Sequence, residues 1–222
     1  MRFRTSFVIA LTTTGFAAGA SAQAFEGVIT QKMTAGGMNM DLVIYVKGEK
    51  VRQEMNATGM PGGAMIVDPA SGDAIMLMTG QKQYMRFPVS ETGRQGDARV
   101  PEFTATGVKE TIAGHSCEHY TVKVENNDVD VCIATGIGTF VGASGANPMG
   151  GRRGGGGEGI SDAAMRELAR QFKGGFFPLK IVSRTERGDA TIEVTKIEKK
   201  SLSDDLFAIP EGFTEIRMGR GY

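Results

Sequence analysis

Residues 103–134 read FTATGVKETIAGHSCEHYTVKVENNDVDVCIA, and this stretch decides the fold. Tyr120, Val122 and Val124 alternate with His119, Thr121 and Lys123. After a turn, Val129, Val131 and Ile133 alternate with Asp130 and Cys132. A period of two gives each strand one apolar and one polar face. Asn126-Asn127 suits a tight turn, because Asn tolerates the left-handed backbone that a two-residue hairpin needs. That turn sets Glu125 opposite Asp128, Val124 opposite Val129 and Val122 opposite Val131, so the apolar faces coincide. Phe103 to Ile112 is the leading strand. The stretch also holds both cysteines and both histidines of the chain.

Working upstream, Phe25, Ile29 and Met33 alternate with Glu26, Thr30 and Lys32. Met38, Met40, Leu42, Ile44 and Val46 alternate with Asn39, Asp41 and Lys47. Val51 and Met55 alternate with Arg52, Glu54 and Asn56. Three antiparallel strands follow. Glycines 59, 62 and 63 break the pattern before a short strand, Ala64 to Val67. Pro69 to Asp73 turns the chain, and Ala74 to Met78 with Gln83 to Phe87 makes a further hairpin. Residues 88–101 are polar and read as a loop.

Downstream, residues 136–159 are glycine-rich and read as a mobile loop. Ser161 to Lys173 is the one amphipathic helix. Ser161 caps it, Ala164, Met165, Leu168, Ala169 and Phe172 form its apolar stripe, and Gly174-Gly175 stops it. Two more strands follow, Phe177 to Thr185 and Ala190 to Glu198. The count comes to ten or eleven strands, and a sheet of that length tends to curl.

The N-terminus carries Arg2 and Arg4, then an apolar run from Phe7 to Leu11, then small residues up to Ala24. That is the layout of a secretory signal peptide, residues 1–22, cleaved best after Ala20-Ser21-Ala22, with Ala22-Gln23-Ala24 as the alternative site. Its apolar core is shorter than the roughly 20 residues a helix needs to span a membrane. No cysteine follows the cleavage site, which argues against a lipid anchor. Residues 23–222 then make a single β-rich domain, periplasmic or secreted and not membrane-spanning after cleavage. The chain has 25 basic and 25 acidic residues. Removing Arg2 and Arg4 leaves it slightly acidic, without the basic run that nucleic-acid binding requires.

The motif Thr-Gly-Val-Lys-Glu-Thr-Ile-Ala-Gly-His-Ser-Cys-Glu-His-Tyr, residues 106–120, resembles the bacterial domain-of-unknown-function family DUF4412. So do the opening Phe-Glu-Gly-Val-Ile-Thr, residues 25–30, and the closing Phe-Ala-Ile-Pro-Glu-Gly-Phe, residues 207–213. The layout also resembles the periplasmic lipoprotein-carrier fold of LolA. That resemblance implies a curved antiparallel sheet, an unclosed half-barrel, and here the single helix packs on its concave face.

His115, Cys117 and His119 share a strand face, with Cys132 across the hairpin. Two His and two Cys are zinc or copper ligands in principle. Their spacing along the strand opposes convergence, so no metal is expected. An exported chain with two cysteines favours a Cys117–Cys132 disulfide. The register above opposes it, because Cys132 then faces Thr121 and lies roughly 13 Å from Cys117 along the strand, beyond the limit of about 7 Å. A bridge therefore requires a bulge, a longer turn or a bend at Gly114-His115.

Nine of the 13 methionines fall between Met33 and Met85. Thioethers bind cuprous copper, but more often they fill cores or line adaptable apolar surfaces. No nucleophile elbow, metalloprotease helix or phosphate loop is present, so the chain reads as a non-enzyme without cofactor. The leading expectation is a module that binds hydrophobic small molecules or lipids. Its cavity residues are Met38, Met40, Leu42, Met55, Met76, Met78, Leu168 and Phe172. The alternative is a structural or protein-interaction module of the cell envelope, with the sheet filled by its own helix and core.

Overall fold

The structure, a computed structural model, describes residues 25–57, 62–88, 102–124, 127–140, 171–172, 175–185 and 188–216. The alternating segments become strands because each hides one face and wets the other. They are β1 (Gly27–Ala35), β2 (Met38–Lys47), β3 (Lys50–Ala57), β4 (Gly63–Asp68), β5 (Asp73–Met78) and β6 (Gln83–Pro88). The second series is β7 (Phe103–Ile112), β8 (His115–Val124), β9 (Asn127–Ala134), β10 (Phe177–Thr185), β11 (Gly188–Lys199) and β12 (Thr214–Glu215).

All twelve lie in one sheet, ordered β12-β6-β5-β4-β3-β2-β1-β11-β10-β9-β8-β7. Two meanders, β1 to β6 and β7 to β11, meet at the antiparallel β1–β11 ladder. The sheet stays unclosed, with β12 and β7 as its edges, as the carrier-fold resemblance implies. Among the described residues there are twelve strands rather than ten or eleven, because the two-residue β12 pairs parallel to β6. Gly27 sits at the seam with φ 152°. A Cβ there would run into the backbone carbonyl of Glu198 across the ladder, so only glycine lets β11 approach this closely.

The central hairpin differs from its expected register. Val124 pairs with Asn127, Val122 with Val129, Tyr120 with Val131 and His119 with Cys132. Asn127 belongs to the ladder rather than to the turn, and one strand slides by two residues against the other. A slide of two keeps every side chain on its face, so the apolar faces still coincide. It also removes the objection to the disulfide. Cys132 now lies diagonal to Cys117, with Cα atoms 5.4 Å apart, and the two are bonded.

The expected helix at residues 161–173 lies outside the described residues except for Gln171 and Phe172. Leu168 and the glycine-rich loop, apart from its first residues up to Phe140, also lie outside them. Among the described residues no helix is long and apolar enough to cross a membrane.

The two faces of the first meander are covered differently. On one, Val28, Ala64, Ile66 and Leu77 pack against Leu202 and Phe207 of the C-terminal tail, with Leu206, Ile209 and Phe213 beside them. The tail is tied down by polar contacts. Lys47 Nζ donates to the Leu202 carbonyl at 2.8 Å, and Arg52 Nη1 donates to the Leu206 carbonyl at 2.9 Å. The Leu202 amide donates to Glu26 at 3.0 Å. Ser203 caps a 3₁₀ turn, Asp204–Phe207, that seats Phe207.

Candidate functional site

The other face of the first meander is built by register alone. Ile29, Ile44, Gln53, Met65, Met76 and Met85 form one row across six strands. Gln31, Leu42, Met55, Gly63 and Met78 form the next. Met33 pairs with Met40, and Ala35 with Met38. Directly paired residues in a ladder point to the same side, so eight methionines share this face. No charged residue occupies it in β1 to β6 between Ile29 and Phe87. Every charge in those strands, such as Lys32, Asp41, Arg52, Glu54 and Arg86, projects from the tail-covered side.

The expected cavity residues therefore fall on one surface. Met38 is exposed at 68% and Leu42 is buried at 3%. Met40, Met55, Met76 and Met78 are half-buried. Gln31, at 3%, is the one buried polar residue among those described, and it puts an amide into this apolar floor.

The same face continues into the second meander. Tyr120, Val131, Ile181, Ile192, Met33 and Met40 form a single row of paired positions. At its far end Phe172 packs edge-on against Tyr120, with ring centroids 5.1 Å apart. Phe103 lies 6.0 Å and Phe176 5.3 Å from the Phe172 ring. Burial raises the Tyr120 hydroxyl above the usual tyrosine range, with the nearby Glu118 carboxylate adding to it. Phe172, the last residue of the expected apolar stripe, is thus anchored on the methionine side.

The histidines and cysteines take the alternate positions of these ladders, and Cys117 and Cys132 join a buried cluster that also holds Ile29, Ile44 and Phe177. His119 Nδ1 lies 2.7 Å from Asp130 Oδ1, and its Nε2 lies 3.0 Å from Glu110 Oε2. Lys180 Nζ bridges Glu110 at 3.4 Å and Glu193 at 3.2 Å. Partial burial alone would raise the Glu110 carboxyl, but the His119 hydrogen bond and the Lys180 ammonium outweigh it and hold it below the usual range. Partial burial likewise works against the Lys180 ammonium, yet Glu193 and Glu110 raise it above the usual lysine range. His115, expected to share in any such cluster, stands apart, and Glu110 takes its place. Sequence reading missed Glu110 and Asp130 because each comes from a neighbouring strand. Only the two-residue spacing of Glu110 from buried Ile112 hinted at its face.

Residues 25–213 match the model of the family described as a domain of unknown function, DUF4412. The chain belongs to this family. Among curated proteins nothing matches the DUF4412 chain. Among solved structures it is similar to an uncharacterized conserved protein from Thermus thermophilus, at 12% identity and a TM-score of 0.52. That match covers 86% of this chain and 89% of the other, and shows a shared fold. Looser likenesses are to MucB, with TM-score 0.44, 12% identity and 84% of this chain against 58% of that one, and to PNGF-II. The PNGF-II match has a TM-score of 0.44 and 16% identity over 87% of this chain, which spans 31% of that one.

Proposed function

We propose that this DUF4412 protein is an exported periplasmic or secreted module that binds apolar or lipidic ligands on its methionine face. The observation that carries the reading is the uncharged face itself. Eight methionines line it, and most are half-buried rather than sealed. The same strands spend their charges on the other side, where the tail covers the core. Flexible thioethers accept varied apolar shapes better than branched side chains do. Gln31 and Gln53 offer amides to one polar end of a ligand, the usual makeup of a small-molecule site.

Twelve twisted strands in an open sheet curl, and the methionine face is taken as the concave side. Phe172 rests on that face beside Tyr120 and Phe103, which supports a place for its ring in the site.

Titration of delipidated protein with a fluorescent fatty acid tests the reading, alongside mass spectrometry of lipids carried by native material. Saturable binding that Met76→Glu abolishes is expected. Absence of saturable binding, with no lipid recovered, would leave the structural or protein-interaction module as the better account.

A further inference from the structure

The slide of β8 against β9 brings four chemically matched groups together. Ligand atoms of Glu110, His119 and Cys132 all lie within 4.8 Å of one another, and Cys117 is bonded to Cys132. We propose that Cys117, Cys132, His119 and Glu110 form a binding site for zinc or a similar borderline dication, a site that the disulfide keeps closed. Two thiolates, an imidazole and a carboxylate are a tetrahedral zinc donor set.

The surroundings fit that role. His119 lies between two carboxylates, Asp130 at Nδ1 and Glu110 at Nε2. A metal would take the place between Nε2 and Glu110 Oε2. Asp130 at Nδ1 would remain, holding the ring as carboxylates behind metal-bound histidines do. Lys180 engages the other Glu110 oxygen, Oε1, and leaves Oε2 to the metal. Two thiolates and one carboxylate exceed a dication by one negative charge, which Lys180 compensates. The cysteines are 3% and 0% exposed, so a bound ion would be shielded from water on the sulfur side.

Opening the site takes two electrons and two protons. A dithiol reductant supplies both: its own sulfurs become a disulfide, and Cys117 and Cys132 become thiols. Metal binding then expels the two thiol protons to solvent. The disulfide and the metal exclude each other.

Cobalt(II) reports the site, since tetrahedral thiolate coordination gives intense visible and charge-transfer bands. The full chain is reduced with a dithiol, freed of excess reductant without air, and titrated with cobalt and then zinc. Expected are thiolate–cobalt bands at one metal per reduced chain, none from the oxidised chain, and displacement by zinc. His119→Gln and Glu110→Gln keep the disulfide and should weaken binding by about tenfold or more. Zinc should also slow re-formation of the disulfide in the reduced wild type. A folded, reduced chain without these bands overturns the proposal. So does a reduced chain that loses its strand signal and does not regain it with cobalt, and so does binding that both variants leave unchanged.

Discussion

The two faces of the first meander are made by the same strands with the same periodicity, yet they end differently. One is charged at its rim and closed by Leu202, Phe207 and their neighbours. The other is uncharged and rich in methionine; Ile29, Ile44, Leu42 and Met65 are buried there, while Met40, Met55, Met76 and Met78 stay half-buried. Alternation alone therefore does not decide which face becomes the sealed core. The deciding element is a distant, aperiodic segment that arrives with fixed polar ties to Lys47 and Arg52. Charges sit on the side where the tail can satisfy some of them, and are kept off the methionine face.

The largest test of that contrast strips the seal. Phe207→Ala should cost about 4 kcal/mol, since a buried ring leaves a cavity among Val28, Ile66 and Leu77. Urea unfolding measures it, and a loss under about 1 kcal/mol would mean the tail merely rests on the sheet. Next comes the disulfide staple. Reducing Cys117–Cys132 without metal, across a sequence separation of 15, should lower stability by about 3 kcal/mol. Thermal melts with and without reductant show it. Met76→Ala on the open face should cost only about 1 kcal/mol, because part of the side chain already meets water. A cost equal to that of Phe207→Ala would show that the methionine face is sealed too.

The smallest effect concerns acid. The Glu110 carboxyl is held low in the folded chain. Its contribution is present above the ordinary carboxylate range and is lost as pH falls through the lower folded value. Glu110→Gln should therefore flatten part of the acid limb while leaving the neutral-to-basic limb unchanged. Partial exposure keeps the change slight. An acid limb identical in both proteins would remove Glu110 from the account.

Strand positions and faces were legible because period two is a local property. Met38, Met40, Met55, Met76 and Met78 reached one surface without any knowledge of the fold. The hairpin register was not legible, since turns centred one residue apart both keep Val122 and Val131 on one side. What distinguishes them is the Cys117–Cys132 bond, which the observed register brings within reach. Glu110 meeting His119 follows from the β7–β8 ladder that runs from the Ala113-Gly114 turn and pairs Glu110 with Cys117, a register that spacing within one strand cannot reveal. The tail's role was invisible because Leu202, Leu206 and Phe207 follow no strand period. β12 is defined by its backbone pairing rather than by its side chains.

The seam between the two meanders bears on how the chain reaches this state. Ladder β1–β11 joins residues near 29 to residues near 197, while neighbouring strands of each meander close through short turns. Distant closure carries the greater entropy cost and comes later. Pulse-labelled hydrogen exchange during refolding should protect β2 to β5 before the amides shared by β1 and β11, and simultaneous protection would rule that order out. A chain synthesised from its N-terminus makes β1 long before β11. The centre of the finished sheet is therefore the bare margin of the unfinished one, and it is there that a holding chaperone or an aggregating neighbour would take hold.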